Sequence, residues 1–392
     1  MPHSSTTILQ QLLELMPRND FTHFVGQHQA DKYSKRLSCW NQLTILLYAQ
    51  ATGKDSLREI ETGLKVQDSK WRPLELQTVA RSTLAVANAK RPAQVYESLF
   101  YKLLERCGNL TPKEAKEFSF RNDLYAIDAS TIDLCLQLFP WARFRKEKGA
   151  IKLHTLFNVR SQIPELIHIT DGKVADITAI RNIDLSKYTK GSIFVFDRGY
   201  NDYSFLRKIT QAGHHFVIRL KKNANIVCLG AHKKTLGKGI LKDEKIGFIL
   251  EKAQADYPED LRLVTYHDEE QNITYEFLTD EFRLSASNIA QIYKRRWDIE
   301  LFFKWIKQHL KIKTFFGTSK NAVMTQIWIA MIYYLLLSWI KHQTRFSGSL
   351  HILTIMFKEV FMQPVQILSL LRLTPKTLSK ALSRGDPQLS LF

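Results

Sequence analysis

An α/β fold with helical regions at both ends and a β-rich insertion is predicted by three features of the 392-residue sequence. Between about 120 and 220, short apolar strands alternate with a helical stretch, the order expected of crossover-connected strands rather than of segregated layers. Between about 223 and 284 the alternation stops, and Lys- and Gly-rich turns separate strand-like runs. Beyond 285 the apolar residues return at the 3.6-residue period of an amphipathic helix.

Residues 1–115 read as helical, and the basic and polar positions of GQHQADKYSKRLSCWNQLTILLYAQATGKDSLREIETGL suit DNA as well as they suit any solvated helical domain. Residues 116–222 form the first part of the core. They carry the strands LYAIDAS, KLHTLFNV, ELIHITDG and SIFVFD, then the helix NDYSFLRKITQAG and the strand HFVIRLKK. Ile193 to Phe196 is apolar throughout, as a strand covered on both faces requires. In the insertion, 223–284, RLVTYHD and ITYEFLTD make a hairpin around EEQN. Lys221 and Lys222 at its entrance either line a DNA channel or, as lysines at a strand exit ordinarily do, only solubilise. Residues 285–345 form the second part of the core. Ser285 is a helix N-cap and Gly317 a stop, so one long helix is expected from about 286 to about 311. Residues 346–392 read as further helices and an exposed tail.

A net charge of +18 and a pI near 9.6 point to a polyanionic partner, without separating DNA from RNA or an anionic membrane surface. The 45% hydrophobic content argues against disorder. Cys39, Cys107, Cys135 and Cys228 lack the spacing of a zinc knuckle or a disulfide framework, which suits a reducing cytosol. The Met-Pro-His start lacks a basic-then-apolar signal segment. Val323 to Ile340, an uncharged run between Lys320 and Lys341, is long enough to be a borderline membrane span. Gln326 and Ser338 interrupt it and no second span accompanies it, so a buried helix is expected and no membrane partner.

The candidate site begins on the helix predicted after Ser285. At ~100° per residue, Tyr293, Arg296, Glu300, Lys304 and Lys307 share an arc of roughly 80°, beside an apolar stripe of Ile292, Ile299, Phe303, Ile306 and Leu310. A basic amphipathic helix is by itself usually a solvated face. Two aspartates lie at apolar strands upstream: Asp128 in LYAIDASTIDL and Asp197 in SIFVFDRGY. Asp197 falls at the carboxyl end of a central strand, where open α/β sheets place their sites; a lone Asp there is more often a turn former or helix cap. Asp133 belongs to the same strand region as Asp128, and Asp171 and Asp176 read as loop residues; each is a lesser candidate. Trp297, beside the apolar stripe, either stacks on a base or packs, and its position favours packing.

The spacing Tyr-x2-Arg-x3-Glu-x6-Lys at Tyr293, Arg296, Glu300 and Lys307 resembles, residue for residue, the signature of bacterial insertion-sequence transposases of family 4. The resemblance covers roughly 20–340, including the amino-terminal stretch quoted above. It implies a ribonuclease-H-like core in which Asp128, Asp197 and Glu300 bind two divalent ions, Mg²⁺ or Mn²⁺. It implies that Tyr293 and Arg296 contact phosphates near the cut end and that Lys307 supports the same strand. Arg198 and Lys304 are further candidate contacts to DNA. The implied activity is cut-and-paste transposition: binding of terminal inverted repeats, release of a 3′ hydroxyl, and its attack on target DNA by a homodimer that pairs the ends in the bacterial cytoplasm, at the nucleoid. The family often has a histidine at the place of His154, where it assists hydration of the phosphate; a core or strand-edge histidine is the reading preferred for His154.

After Arg384-Gly385-Asp386-Pro387, the tail Gln388-Leu389-Ser390-Leu391-Phe392 resembles the peptide with which bacterial replication proteins dock into the sliding clamp. There Leu389, Leu391 and Phe392 would fill a groove and Gln388 set the register; the alternative is a tail folded onto its own domain. Two other functions remain open at this stage: a stand-alone nuclease on the same core, and a DNA-binding regulator or silent copy.

Overall fold

The computed structural model describes residues 6–34, 36–108, 120–145, 148–232, 237–309 and 315–371. Two compact units interleave along the chain. One comprises Met1–Thr111, Leu134–Ala142 and Lys304–Phe392, and the other Pro112–Asp133 and Arg143–Phe303.

The first unit is helical. It begins with α1 (Ile8–Glu14), α2 (Arg18–Gln27), α3 (Cys39–Thr52), α4 (Leu57–Val66), α5 (Asp68–Trp71), α6 (Arg81–Lys90) and α7 (Gln94–Cys107). Their starts follow from local chemistry: Thr7, Ser38 and Ser56 each accept a backbone N–H of the first turn, satisfying a donor that the helix cannot. Gly53 ends α3 at φ 69°, a left-handed cap suited to glycine.

The second unit is built on a 10-stranded sheet. Its strands are β1 (Leu124–Leu134), β2 (Arg143–Arg145), β3 (Lys148–Asn158), β4 (Ile163–Asp171), β5 (Ile193–Phe196), β6 (His215–Arg219), β7 (Ile226–Ala231), β8 (Ile240–Phe248), β9 (Leu261–Asp268) and β10 (Ile273–Thr279). The order is β2-β3-β1-β5-β6-β10-β9-β8-β7, with β4 paired to β3. β1, β5 and β6 are joined in parallel, Ile127 lying opposite Phe196 and Phe196 opposite Ile218. The helices α8 (Asp176–Ile180), α9 (Tyr203–Gln211) and α10 (Glu251–Asp256) add Ile180, Phe205, Leu206, Ile209 and Ala253 to a core shared with Phe194, Phe196, Phe216 and Leu278. The stretch 223–284, read from the sequence as a β-rich insertion, extends the core sheet, because β10 pairs antiparallel with β6. The reason lies in β6, whose buried Phe216, Val217 and Ile218 would otherwise form an uncovered edge.

The helix expected from about 286 to about 311 is two helices, α11 (Ala286–Lys294) and α12 (Trp297–His309). At the junction the ladder tightens to i→i−3 bonds, from Arg296 N–H to Tyr293 and from Ile299 N–H to Arg296. A side-chain brace holds it: Asp298 accepts Arg295 Nε at 2.9 Å and Gln162 Nε2 at 2.8 Å, the latter from the turn between β3 and β4. Ser285 caps α11 as expected, and residues 310–314, between α12 and the expected stop at Gly317, lie outside the described residues. The boundary between the units falls within α12, after Phe303.

The chain completes the helical unit with α13 (Lys320–Gln343), α14 (Leu350–Val360) and α15 (Ile367–Leu370). The apolar run is the centre of α13, packed against α3, α6, α7 and α14, and 89% of its most apolar window is buried. By length and composition it could cross a membrane, but here it is the core helix of its unit. Gln11 of α1 donates to Val365 O at 2.8 Å and accepts from Ile367 N–H at 3.0 Å, so early and late segments share this core.

Candidate active site

The site forms where β1, β5 and β6 stop pairing. One residue beyond the row Ile127, Phe196 and Ile218 lie Asp128, Asp197 and Arg219 on neighbouring strands. The parallel register therefore brings Asp128 and Asp197 together, although 68 residues of chain intervene. Asp197 follows the last residue of β5, and its Oδ1 accepts the Gly199 N–H at 2.7 Å, fixing the turn Arg198–Tyr200. Asp128 is the fifth residue of the 11-residue β1, at the end only of that strand's pairing with β5.

The third acid arrives on α12. Arg296 at the helix junction donates from Nη1 to Asp128 Oδ2 at 3.1 Å and from Nη2 to Glu300 Oε1 at 2.5 Å. One guanidinium thus links two acids that are 172 residues apart in sequence. Burial pushes the Asp128 carboxyl up to about 6, with Asp197 and Glu300 adding to the rise, while the Ala129 N–H and Arg296 oppose it. The site is therefore short of positive charge. Arg296 Nε is buried without a partner, and so is the Tyr200 hydroxyl, whose pKa is raised by burial and then by Asp128. The donor types and the charge deficit fit a hard divalent cation. The spacing is not preassembled: among the described residues no three His, Cys, Asp or Glu side chains converge closely enough to hold one.

An aromatic ladder that the sequence did not reveal borders the carboxylates. Tyr293 lies 4.5 Å from Phe277 between ring centroids, and Phe277 stacks on Tyr275 at 5.8 Å. Arg296 sits 5.7 Å over the Tyr293 ring, and Arg219 4.8 Å over that of Tyr275. Burial raises the Tyr293 hydroxyl, keeping it a proton donor. The alternation of apolar and polar residues over Ile273-Thr274-Tyr275-Glu276-Phe277 was the available signal for Tyr275 and Phe277; nothing local pointed to Arg219.

Other expected residues fall as follows. Arg198 is exposed in the turn after Asp197, and Lys304 and Lys307 are exposed on α12. Lys221 and Lys222 are exposed beyond β6. Trp297 was expected to pack, yet it is 59% exposed, because the break before α12 turns it off the apolar stripe. Asp133 is exposed in β1. Asp171 and Asp176 are not loop residues: the first ends β4, and the second starts α8 and pairs with Lys152 at 3.0 Å. His154 is a buried strand histidine, hydrogen-bonded to Thr170 at 2.8 Å, with its pKa pushed down to about 4 by burial. Gln388, Leu389, Leu391 and Phe392 lie outside the described residues.

The family described as "Transposase DDE domain" matches residues 119–336, a stretch that contains all three acids. The chain belongs to the DDE transposases. Three bacterial relatives with provisional transposase names agree. The y4zB protein of Sinorhizobium fredii is 34% identical over 65% of this chain and 69% of its own. The transposase for insertion sequence element IS5377 of Geobacillus stearothermophilus is 26% identical over 67% and 68% of the two chains, and that for element IS4SA of Synechocystis 27% over 67% and 72%. A second family, described only as a domain of unknown function (DUF4372), matches residues 4–74. As a DDE transposase of the insertion-sequence kind, this protein acts on DNA and depends on a divalent metal.

Proposed function

We propose that this DDE transposase is a cut-and-paste enzyme of insertion-sequence family 4 with a ribonuclease-H-like core. It binds terminal inverted repeats, cleaves the element ends and joins the 3′ hydroxyl to target DNA. The observation that carries this reading is the Arg296 guanidinium spanning Asp128 and Glu300, with Asp197 in register beside Asp128. Asp128, Asp197 and Glu300 would hold two ions, Mg²⁺ or Mn²⁺, which supply Lewis-acid activation of the attacking oxygen and stabilise the leaving one. For the three carboxylates to close on cations, Arg296 gives up its bonds to two of them, and its freed guanidinium meets the scissile-strand phosphate. Tyr293 donates from its hydroxyl to the same strand, and the Phe277 ring behind it fixes its direction. Arg198, Lys304 and Lys307 take flanking phosphates. Water hydrolyses one phosphodiester to release the 3′ hydroxyl, and the attack of that hydroxyl on target DNA forms one phosphodiester as it breaks another, so no nucleotide cofactor enters.

Residues 1–115 serve the inverted repeats, and two copies pair the ends. The tail Gln388, Leu389, Leu391 and Phe392 docks in the sliding clamp; equal clamp retention by a chain truncated after Pro387 would rule this out. The central test incubates wild type and Glu300→Gln with a labelled element-end duplex and Mg²⁺ or Mn²⁺, scoring nicking and joining to a plasmid. Wild type cleaves and joins. Glu300→Gln binds equally and loses both by about 10³-fold or more, ~4 kcal/mol of barrier. Binding without metal-dependent cleavage by wild type would refute the enzyme reading, and cleavage without joining would leave a nuclease.

A further inference from the structure

The helical unit carries a cationic surface of its own, distinct from the carboxylates. Between α2 and α3 the chain makes a tight loop in which two non-glycine residues, Gln29 (φ 47°) and Tyr33 (φ 67°), are left-handed. Side chains rarely adopt that conformation, and it persists where the surroundings over-determine it. Here they do. The buried Arg91 donates to Ser34 Oγ at 2.7 Å, to Gln42 Oε1 at 2.8 Å and to the Leu37 carbonyl, and it pairs with Asp31 at 3.1 Å. The Asp31 carboxylate in turn accepts the Cys39 N–H at 2.8 Å, at the start of α3. All of this scaffolding presents a Tyr33 ring that is 90% exposed. A ring left in water at a strained position adds no burial to the fold.

A cleft of about 870 Å³ runs beside the ring, between the loop and α6. Lys32, Arg36 and Lys90 line it and are exposed, and no Asp or Glu is among its lining residues. Lys32 lies 5.5 Å over the Tyr33 ring. Among the described residues none of the three cations is paired with a carboxylate, in contrast to Arg91 beneath them. Unpaired cations around a projecting aromatic fit a phosphodiester backbone, where charge binds phosphates and the ring meets sugar or base. A protein partner would need more apolar area than the cleft offers: apart from the Tyr33 ring, Val86 is its one large hydrophobic more than half exposed.

We propose that this surface binds duplex DNA, with Lys32, Arg36 and Lys90 on phosphates and the Tyr33 ring packed against the adjoining sugar or an unstacked base. The inference rests on the reading of residues 1–115 as a DNA-binding region. It supplies that region with named contacts and gives the domain of unknown function over 4–74 a part to play.

The test uses full-length protein and fluorescence anisotropy with a labelled element-end duplex across a salt series. Tyr33→Asn removes the ring while placing at that φ a residue that tolerates it. It binds at least tenfold more weakly than wild type, with Tm unchanged or raised, which a merely structural tyrosine would not give. The triple variant Lys32→Ala, Arg36→Ala, Lys90→Ala lowers the slope of log affinity against log salt by about 2–3, at roughly 0.9 per phosphate contact. Wild-type affinity and slope in both variants would overturn this surface and leave DNA binding elsewhere in the chain intact. Failure of the wild type itself to bind the duplex would overturn the underlying reading as well.

Discussion

The two ends of the parallel pair β5–β6 both gather charge, and they treat it differently. At the amino end, His215 Nδ1 meets Asp280 at 2.7 Å and Nε2 meets Glu281 at 3.2 Å, while Arg283 closes on Glu281 at 2.9 Å. Beside them Arg262, with no exposed surface, grips both oxygens of Asp243 at 2.7 and 2.9 Å and donates to the carbonyls of Glu281 and Leu284. Each cation there has its anion. At the carboxyl end Asp128 and Glu300 share Arg296 with Asp197 beside them, Asp128 is driven up to about 6, and buried polar atoms of Arg296 and Tyr200 lack partners. The satisfied end holds the loop that leads into α11, and the unsatisfied end holds the candidate chemistry. Charge left uncompensated in a folded protein is stability given up, and here it lies where a cation and a phosphate would complete it.

The contrast breaks first at Arg262. Replacing it with Ala strands the buried Asp243 carboxylate and two carbonyls, so unfolding free energy should fall by about 3–5 kcal/mol in urea titration. A loss below about 1 kcal/mol would show that the amino end is not the anchor described. The opposite sign is expected at the carboxyl end. A carboxyl whose folded pKa is raised from 3.8 to about 6 is most favourable to the fold at low pH and costs stability as pH rises through about 6. At pH 7 that cost is ~3 kcal/mol at 1.36 kcal/mol per unit, the opposing pull of Arg296 being already counted in it. Asp128→Asn therefore stabilises the protein at pH 7 by about 1–2 kcal/mol while abolishing cleavage. An Asn variant less stable than wild type would mean that the Arg296 bond outweighs burial.

This asymmetry also sorts what the sequence could disclose. Asp197 was legible because Phe196 ends an all-apolar strand, and Glu300 because helical spacing binds it to Arg296. Asp128 was legible as a residue, but its place inside β1 depends on where pairing with β5 stops, which is a tertiary fact. The break at Arg295 and Arg296 was hidden, since both segments keep one apolar period and the brace that tightens the junction comes from Gln162, more than a hundred residues earlier. Trp297 was misjudged for the same reason. The continuity of 223–284 with the core sheet was equally hidden, because a hairpin's sequence records its own turn and not the edge it joins. The Arg262 and His215 networks join residues from different strands and the loop after β10, so no single stretch displays them.

His215 separates the two ends most finely. Its hydrogen bond to Asp280, with the charges of Asp280 and Glu281, raises its pKa above the ordinary value, while burial and Arg283 oppose the rise. A histidine shifted upward contributes stability that is fully present below its unfolded pKa and is lost as pH climbs through the folded one. Wild-type unfolding free energy should therefore decline from slightly acidic to slightly alkaline pH, by less than either substitution above. In His215→Gln that part of the decline should vanish. Metal-dependent cleavage at fixed pH should be unchanged in the variant, since the residue sits at the far end of β6 from Arg219 and Asp197. Parallel stability profiles for the two proteins would remove His215 from the anchoring network. A loss of cleavage without loss of stability would mean that the two ends of the strand pair are coupled after all.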